Sequence, residues 1–425
     1  MKKIYTLICY LFLFALQTFS QTQPLQPSSG PGGSDYEFGD VVFNNYATNP
    51  DGFYLFEPSS PTPDSANVVV FIHGLALVSP HLYGAWINHL VKHGNIVIYP
   101  KYQDANAAVP ASEFNANAVT AILNALDTLA LPGHVKPRLQ NFAVGGHSYG
   151  GLMTANMGIL AATSGFPQPK ALFSCQGYTD NTTDTRLPDY SVMPSDVNLL
   201  IVVGDNDAIV GTTFGHFLMD STINVPTAHK NLITHHSDNY GSPAIGSTHF
   251  EPCSRDDAYD TGESNLFTTV CGLGTKTDAV DFYCYWKLFD ALLDCAFYGE
   301  NCSTAFGDTP EQHGMGDWSD GQPLVALTVE PSQGTGINTP EHENGISVYP
   351  NPSSGEVFIT FTATEKQYVL FEFFNAQGQV IKALNKTYSR GMVNEKVTLE
   401  NAAAGIYSVQ IQLNNQRISR KVVMN

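Results

Sequence analysis

Between about Tyr36 and Leu327, short uninterrupted apolar runs alternate with stretches whose apolar residues recur at helical spacing. The runs "NVVVFIHG" (67–74), "NIVIYP" (95–100), "LQNFAVGG" (139–146), "KALFSCQG" (170–177), "NLLIVVGD" (198–205) and "KNLITHH" (230–236) read as strands. Apolar continuity is what a parallel strand buried on both faces requires. Between them the spacing predicts helices around Tyr83–Lys92, over "SEFNANAVTAILNALDTLA" (112–130, Ser112 or a neighbour as N-cap) and over "GGLMTANMGILAA" (150–162). "TDAVDFYCYWKLFDALLDCA" (277–296) closes the region as an amphipathic helix. Such alternation implies an α/β fold: an open, mostly parallel sheet with helices on both faces. "DYEFGDVVFNN" (35–45) and "GFYLFEP" (52–58) would form an antiparallel edge.

The pattern then changes. Apolar content collapses over "VEPSQGTGINTPEHENG" (329–345), which reads as a linker. Residues 346–425 carry short alternating runs rich in β-branched and aromatic residues, such as "EVFITFTA" and "GIYSVQIQL", and predict an all-β sandwich. At the other end, "MKKIYTLICYLFLFALQTFS" (1–20) has the positive start, apolar middle and small-residue exit of a secretory signal peptide. Residues 21–35, rich in Pro, Gly and Ser, are expected to be a flexible leader. The chemistry-bearing domain is thus expected at 36–328.

A length of 425 residues fits more than one domain, and 43% apolar with 14% charged residues fits a large core under an uncharged polar surface. The net charge of −19 argues against nucleic acid and anionic membranes as partners. Cys9 would leave with the signal. The six remaining cysteines favour disulfides in an exported chain. Short loops suggest Cys295–Cys302 and Cys253–Cys271, which leaves Cys175 for Cys284. The sequence contains no C-x-x-C pair, which argues against a zinc ribbon.

Gly146-His147-Ser148-Tyr149-Gly150 fits G-x-S-x-G and falls between a strand and a helix, the context that motif needs. A serine on so sharp a turn is strained, and side chains two residues away would collide with neighbouring elements. A serine hydroxyl is a weak nucleophile, so a base and an orienting acid are required. The strand ending at Gly204 offers Asp207, with Asp205 as the other candidate. For the base, His249 in "GSPAIGSTHFEP" (241–252) is preferred, while His235 and His236 at a strand end stay open. The order Ser148, Asp207, His249 is that of α/β-hydrolases. Oxyanion donors are expected from the N–H groups of Tyr149 and of Leu75 in "FIHGLAL", with His73 orienting that loop. Tyr83, Trp86, Tyr102 and Tyr178 lie near predicted strand ends and are candidates to line a substrate pocket; each is equally explicable as an ordinary aromatic. The acidic stretch "SRDDAYDTGE" (254–263) has carboxylates that suit calcium, but the spacing matches no ligand pattern, so a solvated loop is expected. The scheme requires neither metal nor cofactor.

His73-Gly74, "GHSYGG", "GDND" and "GSTHFEP" together resemble an α/β-hydrolase of the secreted lipase, cutinase and polyester-hydrolase side of that superfamily, over about residues 36–325. The resemblance implies hydrolysis of carboxylic esters, whether small, lipid or polymeric; a monomer is expected. A serine peptidase with the same triad and a silent surface-binding protein are the alternatives. "ISVYPNPSSGEVFITF" (346–361) and "GIYSVQIQLNNQRISRKVVMN" (405–425) resemble the C-terminal sorting domain of the Bacteroidetes type IX secretion system. That likeness implies the secretion machinery as partner, export to the outside of the cell and removal of the domain; a carbohydrate-binding module is the competing reading.

Overall fold

The structure is a computed structural model that describes residues 21–425 apart from 106–108, 179–184, 332–346, 350–352, 354, 364, 376–378, 400–402, 404, 414–415 and 425. The expected signal peptide, most of the expected linker and the Pro350-Asn351-Pro352 motif lie outside the described residues. The chain divides into two compact units, Met1–Ser332 and Gln333–Asn425.

In the first unit nine strands form one sheet. They are β1 (Asp40–Asn45), β2 (Phe53–Ser59), β3 (Ser65–Ile72), β4 (Asn95–Pro100), β5 (Lys136–His147), β6 (Ala171–Cys175), β7 (Asn198–Gly204), β8 (Lys230–His235) and β9 (Thr328–Pro331). Their spatial order is β1-β2-β4-β3-β5-β6-β7-β8-β9. The stretch from β4 through β8 is parallel, and β1, β2 and β9 run antiparallel at the two edges. Alternate residues of the same strand go to opposite layers, which is why these strands read as continuous apolar runs. Val69, Phe71, Phe173 and Val202 pack against α1 (Gly84–Lys92) and α6 (Trp286–Tyr298). Val68, Val70, Ile72, Val144 and Ile201 pack against α2 (Phe114–Leu129), α3 (Tyr149–Ser164) and α4 (Thr213–Ser221) on the other face. Each fully buried Val or Leu adds about 1.5–3 kcal/mol to this two-sided core.

Parallel pairing brings the carboxyl ends of β3, β5, β7 and β8 to one edge of the sheet. Ile72 pairs with Gly146, His147 with Cys175, and Gly204 with His235. β4 and β5 flank β3 on opposite sides, so the chain reverses its winding direction at β3, where open α/β sheets bind ligands.

Two expectations need correction. Residues 21–35 are not a loose leader but a strap across the unit. Thr22 N donates to Ser319 Oγ (3.0 Å), Gln23 Nε2 to the Pro243 carbonyl (3.0 Å), and Gly32 N to Asp290 Oδ2 (2.8 Å). Composition suggested flexibility, whereas these bonds span more than 200 residues of sequence and leave no local pattern. Of the three cysteine pairs, Cys295–Cys302 is a disulfide at the end of α6, while Cys175, Cys253, Cys271 and Cys284 are buried thiols. The Sγ atoms of Cys253 and Cys271 do meet, at 2.7 Å, where α5 (Leu266–Gly274) packs beside the loop that follows His249.

The second unit consists of two antiparallel sheets. One holds β10 (Ser347–Tyr349), β11 (Glu356–Ala363) and β14 (Gly391–Thr398). The other holds β12 (Gln367–Phe374), β13 (Val380–Tyr388), β15 (Gly405–Leu413) and β16 (Gln416–Met424). Val357, Ile359 and Phe361 of the first share a core with Phe371, Val409 and Ile411 of the second, as in a sandwich.

Candidate active site

Ser148 follows directly on β5 and precedes α3, with φ +59° and ψ −120°. A non-glycine residue in this region is strained, and the surroundings hold it there. Ser148 N donates to the Cys175 carbonyl (3.0 Å), and its own carbonyl accepts from Tyr178 N (3.0 Å). The flanking glycines are sterically required. A Cβ on Gly150 would lie 1.9 Å from the Ile72 carbonyl oxygen, and one on Gly146 would lie 2.6 Å from the same atom.

His249 Nε2 lies 3.0 Å from Ser148 Oγ, and His249 Nδ1 lies 2.7 Å from Asp207 Oδ2. The other oxygen of Asp207 accepts from the backbone N–H groups of Ile209 (2.9 Å) and Val210 (3.0 Å). Burial pushes the Asp207 pKa up, but bonding to His249 and to these two amides outweighs it, so the carboxyl titrates below its ordinary 3.8. It therefore stays ionised at neutral pH and holds a proton on His249 Nδ1, which leaves the Nε2 lone pair facing the serine. All three side chains are buried.

The other acid and bases lie elsewhere. Asp205 bonds His236 Nδ1 (2.7 Å) and Ser247, and His236 Nε2 meets Thr328 Oγ1 (2.7 Å), so these four residues brace the loop that carries His249. His235 is wholly buried, and burial pushes its pKa down to about 4.

Ser148 opens into a cavity of about 340 Å³. Leu75, Leu77, Tyr149, Tyr178, Ile209 and Phe250 line its walls, and Leu266, Phe267 and Val270 of α5 form one side. The lining is almost entirely apolar. Helix α5 begins with a capping box between Asn265 and Thr268, and Asn265 Nδ2 donates to the Ala76 carbonyl (2.8 Å), tying the helix to the loop after β3. Leu266 and Leu273 are 74% and 85% exposed, so the apolar surface continues outside the cavity.

Two protein families match. Residues 40–174 match the chlorophyllase family, a stretch that contains β1 to β6 and Ser148 but ends before Asp207 and His249. Residues 347–425 match the secretion system C-terminal sorting domain. The chain joins an α/β-hydrolase to a type IX sorting domain. No curated protein sequence matches the chain. The sorting domain marks the hydrolase for secretion or export to the outer cell surface.

Of the four aromatic candidates in the hydrolase, Tyr178 lines the cavity and stacks on Tyr149 at 4.7 Å. The other three sit behind it. Tyr83 Oη bonds His147 Nδ1 (2.8 Å) and accepts from Gly74 N (3.2 Å), bracing the elbow against the loop after β3. Tyr102 Oη donates to the His73 carbonyl (2.8 Å) and stacks on the His73 ring at 4.3 Å. Trp86 is buried among Phe71, Phe173 and Phe289 on the α1/α6 face. Sequence reasoning passed over His147, whose ring lies 4.7 Å from that of His249. Burial first, and then the neighbouring His249, hold its pKa well below 6.5, so it packs beside the site as a neutral ring. The apolar wall from α5 was also missed, since a nine-residue apolar segment after a loop carries no sign of which side it faces.

Proposed function

We infer that this hydrolase is an exported serine esterase for apolar carboxylic esters. The observation that carries the reading is His249 bridging Ser148 Oγ and the Asp207 carboxylate at hydrogen-bond distances on both sides. Ser148 Oγ attacks the ester carbonyl carbon while its proton passes to His249 Nε2, and the carbonyl π pair moves onto oxygen. The N–H groups of Leu75, on the loop after β3, and of Tyr149, at the start of α3, hold that oxyanion. The tetrahedral adduct collapses, the C–O bond to the alcohol breaks, and His249 returns the proton to the leaving oxygen. Water then attacks the acyl-enzyme by the same route, releasing the acid and restoring Ser148. Asp207 stabilises the imidazolium in both halves.

The cavity lining favours an apolar acyl or alkyl group over a peptide, whose backbone needs polar partners. The name of the family matched by residues 40–174 belongs to an ester hydrolase, which points the same way. Lipase-like, cutinase-like and polyester-cleaving activities all belong to this class. The test is labelling with a fluorophosphonate: wild type should be labelled and Ser148→Ala should not. An unlabelled wild type would rule the reading out, and turnover of peptide anilides without p-nitrophenyl esters would replace it with a peptidase.

A second prediction concerns the α5 wall. Phe267 is 46% exposed, so aspartate there should leave the fold intact. Losing its apolar contact should lower kcat/KM for a p-nitrophenyl octanoate about tenfold relative to the acetate. Equal loss on both esters would mean that the octanoyl chain lies elsewhere.

A further inference from the structure

A polar cavity of the hydrolase unit lies at the other end of the sheet from Ser148. Helix α1 runs back from the carboxyl end of β3 to the start of β4, and so carries His89 and His93 away from the catalytic edge. The cavity, of about 440 Å³, is lined there by Asp35, Glu37, His93, Asp290, Asp294 and Glu300. His93 is the C-cap of α1, one turn beyond His89, and the two rings lie 4.5 Å apart. Asp290 of α6 comes to meet them. One ligand atom from each of His89, His93 and Asp290 lies within 4.8 Å of the other two.

We propose that His89, His93 and Asp290 form a binding site for one Zn²⁺ ion. Neighbouring groups already orient each ligand. His93 Nε2 faces the Gly33 carbonyl (3.1 Å), which can only accept, so Nδ1 keeps the lone pair. His89 Nε2 donates to Asp290 Oδ2 (2.8 Å), and zinc would take the place of that proton, which moves to Nδ1, 3.2 Å from Tyr36 Oη, a hydroxyl held by Gln26 Nε2 (3.0 Å) and able to accept it. Gly32 N donates to the Asp290 carboxylate (2.8 Å) and fixes its orientation. Supporting bonds of this kind are what orient ligands in zinc sites.

Ligand atoms around a tetrahedral zinc ion lie about 3.3 Å apart. His89 Nε2 and Asp290 Oδ2, now 2.8 Å apart, would open slightly, and His93 would close in. Water from the cavity completes four-coordination. Two imidazoles with one carboxylate suit zinc, whereas calcium and magnesium call for a shell of oxygens. The remaining carboxylates of the cavity draw cations toward it. Because Gly32, Gly33 and Tyr36 belong to or adjoin the N-terminal strap, the ion would lock the strap onto α1 and α6.

The test uses tag-free full-length chain, stripped with EDTA and titrated calorimetrically with ZnCl₂. One ion per chain is expected with a dissociation constant about micromolar or below, and Tm should rise on binding. His93→Ala, a half-buried position at the helix end, should weaken binding about 100-fold, while Asp257→Asn in the exposed acidic stretch should not. Zinc replaced by Co²⁺ should give the intense visible bands of a four-coordinate ion in wild type, a readout that does not depend on any variant folding. Failure of wild type to bind, weak octahedral cobalt bands, or equal affinity in wild type and His93→Ala would overturn the proposal.

Discussion

Ser148→Ala is expected to lower kcat on p-nitrophenyl esters by about 10⁵- to 10⁶-fold while leaving the thermal midpoint unchanged. Among the described residues that line the cavity no other carries an aliphatic hydroxyl or a thiol, and alanine keeps the strained backbone occupied by a residue of almost the same volume. His249→Ala should cost about as much, and the double variant little more than either alone, because the serine and its base act as one unit. The control is His236→Ala. His236 bonds Asp205 and Thr328 rather than Ser148, so kcat should stay within about threefold of wild type, as for a replacement away from the reacting atoms. A loss at His236 equal to that at His249 would mean that His249 is not the base.

Gly150→Ala should cost more stability than any single truncation in the core. Its Cβ would stand 1.9 Å from the Ile72 carbonyl oxygen, 2.5 Å from the Ile72 carbonyl carbon and 2.8 Å from the His73 oxygen. All three are backbone atoms, and Ile72 is fixed by pairing with Gly146 in the middle of the sheet. Relief therefore requires α3 or β3 to shift as a whole. A penalty of about 4 kcal/mol or more is expected, against a total stability of about 5–15 kcal/mol. Denaturant melts should show a large drop in midpoint or little soluble protein. Any folded fraction should have lost activity, since the loop after β3 would no longer meet Ser148. A midpoint within a few degrees of wild type would show that the elbow has room that the geometry denies.

The sheet was legible from the chain because strands buried on both faces announce themselves as apolar runs, and the elbow was legible because its signature is local. What sequence could not resolve depends on distance or direction. Asp205 and Asp207 are two residues apart on the same turn, and only the position of the imidazole distinguishes them. Tyr83, Trp86, Tyr102 and Tyr178 all lie near strand ends, yet only the three-dimensional fold says that Trp86 is buried on the α1/α6 face and Tyr178 faces the cavity. His89 and His93 at the end of α1 have a readable spacing, but Asp290 lies about 200 residues on and gives the pair no local meaning. The apolar residues of α5 look like core in sequence, and part of that face is exposed.

The short strand β9 has a bearing on maturation. It covers the outer edge of β8, with Thr328 opposite Thr234 and Pro331 opposite Asn231. Proteolytic removal of the sorting domain upstream of Thr328 would strip β8 bare and offer its unpaired amides and carbonyls to any passing chain, a route to aggregation. A cut beyond Pro331 leaves the edge sealed by a strand that ends in a residue unable to donate. If the exported product loses the sorting domain, its intact mass should therefore still include residues 328–331, and the four residues of β9 would act as the hydrolase's own end-cap.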